Sequence, residues 1–112
     1  MKPDRDVLAD ILSAARLIQE FVAGVGESAF MRDPKTQYAV YAQLTIMGEA
    51  ARRVSADFRW QHPDLPWHEM IGMRNRIVHG YDEINWQIVW HTASRDIPDL
   101  IHKLAPLLPP PD

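Results

Sequence analysis

The residues with the most chemical promise lie in one octapeptide, RNRIVHGY, residues 74 to 81. Histidine titrates near neutral pH and arginine is a permanently charged, forked donor matched to a phosphate. Together they suit phosphodiester cleavage. His79 would take a proton from a ribose 2′-hydroxyl or give one to the departing 5′-oxygen, while Arg74 stabilises the charge building on the phosphorus oxygens. No metal is required when the 2′-hydroxyl is the nucleophile. At about 100° per residue, Asn75 and His79 share a helical face and Arg76 lies one turn from His79, whereas Arg74 sits about 140° round. On one regular helix Arg74 and His79 would not meet. Gly80 is the expected left-handed residue ending that helix, so His79 stands where ideal angles cease to apply.

Other chemical groupings are weaker. Five histidines, at positions 62, 68, 79, 91 and 102, show no HExxH spacing and have no cysteine partners, so no metal site and no cofactor are expected. The carboxylates Glu20, Glu27, Glu49, Glu69 and Glu83 fall on separate elements. Trp60, Trp67, Trp86 and Trp90 could stack on bases, but core packing is the expected use of their rings. Arg52 and Arg53 read as a solvated helix face unless a later helix brings Arg74 beside them.

The elements that must position these residues read as helices. Val7, Leu8, Ile11, Ala14, Ala15, Ile18, Phe21 and Val22 recur at spacings of three and four, giving an amphipathic helix over 4–22. Gly24 and Gly26 break it, and GVGESAFMRD reads as a loop. Asp33 followed by Pro34 starts a second helix running to about Ser55, with Val40, Tyr41, Leu44, Met47, Ala51 and Val54 as its apolar stripe. Gly48 costs that helix roughly 1 kcal/mol relative to Ala, for which close backbone packing would compensate. ADFRWQHPDLPW reads as an ordered loop pinned by its own aromatics. A third helix is expected from Trp67 to about Val78, and a fourth from Asp82 or Asn85, bent or restarted at Asp96 to Pro98. The architecture implied is all-α, an antiparallel bundle of four to five helices forming one domain over 1–108, with a Pro-rich tail over 109–112.

Composition sets the outer limits. A chain of 112 residues, 46% hydrophobic and 24% charged, falls in the single-domain, globular range. Its lack of cysteine removes disulfides and thiolate chemistry and agrees with a cytoplasmic location. No apolar run suggests a signal peptide or membrane span. A net charge of -3 argues against a nucleic-acid binder that relies on bulk attraction. From Ala50 to Gly80, however, five arginines (52, 53, 59, 74 and 76) face three carboxylates (57, 64 and 69), so any anion site is local and central.

The string HPDLPWHEMIGMRNRIVHGYDEINWQIVW, with TIMGEAARRVS before it and DIPDLIHKL after it, strongly resembles the HepT family of HEPN-domain proteins. The likeness spans nearly the whole chain. The family signature of Arg, four residues, His, any residue and Tyr falls on Arg74, His79 and Tyr81, and Asn75 matches the polar residue that commonly follows the arginine. The resemblance implies an all-α bundle paired as a homodimer, with two motifs facing each other across a cleft. His79 of one subunit need not then act with its own Arg74. It also implies a metal-independent ribonuclease toxin acting on RNA, such as tRNA. Its antitoxin partner would be an MntA-like nucleotidyltransferase that attaches AMP to Tyr81, adding bulk and negative charge beside the cleft. Glu49, in GEAA, is a candidate for orienting Arg74 through a charge-assisted hydrogen bond.

Plainer readings stand beside these. Arg74 and Glu49 could be ordinary helix-surface groups, His79 a cation near a helix C-terminus and Tyr81 a ring packing a turn. At the level of the whole chain, the alternatives are a non-catalytic helical module that binds and is modified by a nucleotidyltransferase, and a regulator holding a nucleotide phosphate at Arg74 and Arg76.

Overall fold

The start of the first helix is tied to the end of the long helix that follows it, which makes the pair antiparallel. In the computed structural model, which describes residues 2–79 and 83–109, α1 spans Asp4–Val22 and α3 spans Pro34–Arg53. The Asp4 carboxylate accepts hydrogen bonds from the backbone N–H of Ser55, at 2.9 Å, and from its hydroxyl, at 2.7 Å. Val7, Leu8, Ile11, Leu12, Ala14, Ala15 and Ile18 of α1 are buried against Val40, Leu44, Met47 and Ala51 of α3 and the last helix of the chain. Both helices follow the expected spacing, and Asp33 caps α3 as read, accepting from Thr36 N–H at 3.3 Å and its hydroxyl at 2.6 Å.

The segment between them is not wholly loop. Gly24, at φ +74°, makes the left-handed turn after α1. A single helical turn, α2 (Glu27–Phe30), then places Phe30 in the core at 0% exposure. Its ring centroid lies 5.2 Å from that of Trp90. The apolar anchor at Phe30, rather than local propensity, accounts for the turn that GVGESAFMRD was expected to lack.

ADFRWQHPDLPW differs from expectation in the same sense. Ala56–Gln61 form α4, because Ser55 caps it by accepting from Phe58 N–H at 3.1 Å. The expected aromatic pinning holds around it. Phe58 stacks on His62 with centroids 4.3 Å apart and meets Trp67 edge-on, and the Trp67 indole donates to the His62 carbonyl at 2.8 Å. Ser55 therefore caps one helix and receives the start of another. Ser55→Ala is expected to lose about 1 kcal/mol of stability, measurable as a lower urea midpoint at unchanged slope. The two Ser55 hydrogen bonds, side chain first, hold the Asp4 carboxyl below its ordinary value. A depressed acid stabilises the fold above its unfolded pKa, near 3.9, and that contribution is lost as pH falls through the lower folded value.

The expected third helix is two pieces, α5 (Trp67–Ile71) and α6 (Met73–Ile77), separated by Gly72 at φ -86°, ψ 8°. It stops one residue early. Val78 is extended at φ -97°, ψ 121° and forms an antiparallel bridge with Ile84. Gly80, the expected cap, and Asp82, one of two expected starts for the next helix, lie outside the described residues. The other expected start is correct: Asn85 caps α7 (Trp86–His91) by accepting from Ile88 N–H at 3.1 Å.

Pro98 restarts the last helix as anticipated. With no N–H of its own, it follows a π-helical turn over Thr92–Asp96, in which Ile97 N–H reaches back to the Thr92 carbonyl, and α8 then runs Ile97–Leu104. The tail begins as a short 3₁₀ turn, Ala105–Leu107, and Leu108 packs on the core. The result is an all-helical bundle built from α1, α3, the α5–α6 pair and the α7–α8 rod. No helix among the described residues is long and apolar enough to cross a membrane.

Candidate active-site cleft

Gly48 is where the bundle brings its arginines together. A Cβ there would stand 2.8 Å from the Met70 carbonyl oxygen, so its absence lets α5 lie directly on α3. This is the compensation expected for a glycine inside a helix. With α5 so close, Arg52 of α3 donates to the Ile71 carbonyl at 3.4 Å, and α6 leaves Gly72 beside it.

A small cleft of about 180 Å³ opens at this junction, with Glu49, Arg52, Arg74 and Asn75 as its polar walls. Three residues singled out in the sequence, Glu49, Arg74 and Asn75, thus converge on one space. Arg52 joins them, as it would if a later helix brought Arg74 alongside. All four are exposed. Glu49 lines the cleft, but among the described residues no hydrogen bond or ion pair joins it to Arg74, so the expected orienting contact is absent from this structure.

Arg76 goes elsewhere. It borders a separate hollow of about 410 Å³ between α5–α6 and the α7–α8 rod, together with Glu69, His91 and Asp96. Neighbouring arginines on α6 therefore serve different faces, and periodicity alone would have chosen the wrong one for the Glu49 cleft.

His79 is not among the walls of the Glu49 cleft. It lies two residues beyond the end of α6 and is exposed, on a connection closed by backbone hydrogen bonds from His79 N–H to Glu83 O and from Asn85 N–H to Ile77 O, both 2.8 Å. Its Nε2 is 3.1 Å from Asn85 Nδ2. Because Asn85 Oδ1 already accepts from Ile88 N–H, the amide turns its NH₂ toward the ring, and Nε2 of His79 is the acceptor. Asn85 was legible as a helix cap but not as a residue holding this histidine. Tyr81, the expected modification position, lies outside the described residues.

The class these features define is an all-α protein that gathers guanidinium groups at one cleft and carries, two residues past the helix that lines it, a histidine held by the following helix cap. The family described as ribonuclease HepT-like matches residues 11–107, and the chain belongs to it. It is 40% identical over 103 residues to "Probable ribonuclease HepT" of Thermococcus cleftensis, covering 92% of this chain and 94% of that protein. A "Putative RNase" of Caldanaerobacter subterraneus is 34% identical over 96% of both chains, and one from Methanocaldococcus jannaschii is 37% identical over 86% of this chain and 91% of its own. No solved structure matches the chain significantly.

Proposed function

We propose that the protein is a metal-independent endoribonuclease, the toxin of a toxin–antitoxin pair, which cleaves RNA through the Arg74, His79 and Tyr81 motif. The observation that carries the reading is the convergence of Arg52 and Arg74 on one cleft in a chain of a ribonuclease family. Two forked donors suit the oxygens of a single phosphodiester, and their charge is permanent. Asn75 adds a neutral donor at the same rim.

The reaction needs a base, an acid and charge stabilisation. The Asn85 hydrogen bond keeps a lone pair on His79 Nε2 until a ribose 2′-hydroxyl takes the place of Asn85. The hydroxyl proton passes to Nε2 as the 2′-oxygen bonds to phosphorus. The bond to the 5′-oxygen then breaks and that oxygen leaves with the proton that His79 took up, giving a 2′,3′-cyclic phosphate and a free 5′-hydroxyl. Arg74 and Arg52 stabilise the charge on the non-bridging oxygens throughout.

A homodimer would complete the site. Leu17 and Ile46 are 38% and 48% exposed. They border an open groove between α1 and α3 whose walls include Glu49, which also lines the arginine cleft. A second copy seated on the exposed Leu17 and Ile46 of this mixed groove would stand at the edge of the cleft and could bring its own His79 to it. That is the arrangement that separates Arg74 and His79 on one chain but joins them across two.

Cellular RNA incubated with the purified protein in EDTA tests the activity. Cleavage by the wild type is expected, and intact RNA would overturn the reading. Regulation is tested separately, with an MntA-like nucleotidyltransferase and ATP. A mass gain matching AMP is expected on the wild type and not on Tyr81→Phe, with loss of cleavage in proportion to modification. Modification of a protein that never cleaves RNA would favour the alternative of a non-catalytic module.

A further inference from the structure

Among the described residues, the most exposed large apolar side chain lies away from the arginine cleft. Trp60 is 86% exposed, against the expectation that the tryptophans pack the core. The other three do so in whole or part: Trp67 is buried, Trp90 lies on Phe30, and Trp86 meets Tyr38 and Tyr41 edge-on.

Geometry forces the exception. Positions two apart on a helix stand about 200° round from each other. The Phe58 ring packs inward on Trp67 and stacks on His62, so Trp60 must point out. Its helix is capped by Ser55 and backed by the Trp67 indole hydrogen bond to His62, so the ring stands on a fixed base. The fold gains little from an indole held in water.

Beside it is a shallow hollow of about 510 Å³ walled by Arg59, Trp60, Pro63, His68 and Glu69 among others. Among the described residues Arg59 forms no ion pair, and its buried Nε has no hydrogen-bond partner. His68 and Glu69 belong to α5, whose last residue, Ile71, lines the Arg74 cleft. His68 and Ile71 stand three apart on α5, about 60° round the helix and about 4.5 Å along it, so hollow and cleft adjoin on that side of α5.

We propose that Trp60 and Arg59 form a binding platform for single-stranded RNA next to the cleavage cleft, with a base stacked on the indole and a phosphate on the guanidinium. The platform rests on the ribonuclease reading. Stacking on an aromatic face is tolerant of sequence, and a nearby cation adds the backbone contact that single-strand binders combine with it. A short strand crossing α5 would touch both surfaces.

The test measures binding of a labelled 2′-O-methyl RNA of about a dozen nucleotides, which cannot be cut, alongside cleavage kinetics on the matching RNA. Trp60→Ala is expected to raise both Kd and KM about 5- to 150-fold, the effect of losing one stacked base, while kcat changes little. Trp60→Phe should recover part of the loss, and Gln61→Ala, an exposed neighbour, should behave as wild type. Wild-type cleavage with an unchanged Kd and KM in Trp60→Ala overturns the platform and leaves the ribonuclease reading intact. Absence of wild-type cleavage overturns that reading, and the platform is then decided by the Kd values alone. Loss of a protein partner by Trp60→Ala, with RNA affinity retained, would make the surface a protein dock and also overturn the proposal.

Discussion

Arg74→Ala and His79→Ala will each lower the rate of RNA cleavage by about 10²- to 10⁴-fold, the usual cost of removing an acid–base group or a charge-stabilising donor. Both side chains are exposed, so neither loss should come with unfolding. Circular dichroism melts on the same samples check this. Arg76→Ala is the control, because its guanidinium borders a different hollow. Its rate should stay close to wild type. If Arg76→Ala abolished cleavage while Arg74→Ala did not, the motif would have been placed on the wrong arginine. In a mixed dimer, one chain carrying Arg74→Ala and the other His79→Ala, clefts built across the subunits would comprise one composite site free of both changes and one carrying both. Cleavage at about half the wild-type rate is then expected, whereas sites formed within single chains would leave the mixture as inactive as either variant.

Gly48→Ala should destabilise the protein although alanine is the better helix former. Helix propensity alone predicts a gain of about 0.8–1 kcal/mol. The new Cβ, however, would sit 2.8 Å from the Met70 carbonyl oxygen, a backbone atom that can move only if α5 moves. Overpacking of this kind typically costs about 1–3 kcal/mol, so the net change is a loss. For a domain of this size each kcal/mol is worth about 4 °C or more in Tm. The displacement should also reach the site. Gly48 lines the arginine cleft, and Arg52 holds the carbonyl of the next residue, Ile71. Cleavage by the folded fraction should fall as well. A Gly48→Ala protein that melts higher than wild type would show that α5 does not lie on α3 as described.

The parts of the molecule legible in the sequence are those set by local chemistry. The 3.6-residue spacing of apolar side chains located α1 and α3, because each buries one continuous stripe. Asp33 and Asn85 announced their helices through capping, and Pro98 announced its restart through the missing N–H. The parts not legible depend on distant partners. α2 exists because Phe30 has the rim of the α7–α8 rod to fill against, and α4 because Ser55, anchored by Asp4, caps it. The first cause is distant, and the second is local only in its cap, since the Asp4 carboxylate that holds Ser55 comes from the start of α1. The same divide runs through the site. The sequence, through its motif and its family resemblance, could name Arg74, Asn75 and Glu49 but not their meeting with Arg52, which follows from the absence of a side chain at Gly48. It placed His79 past regular helix correctly and missed the bridge that takes the chain from Val78 back to Ile84, since two residues of extended backbone leave no periodic trace.

The proposed reaction is distinguished by attack of the ribose 2′-hydroxyl without a metal ion. The most direct measurement compares an RNA oligonucleotide with the same strand carrying 2′-deoxy sugars, in EDTA, with product ends read by mass spectrometry. Only the RNA is expected to be cut, leaving a 2′,3′-cyclic phosphate or the monophosphate it hydrolyses to, and a 5′-hydroxyl. Cleavage of the deoxy strand, or activity that EDTA abolishes and a divalent cation restores, would contradict the proposed reaction.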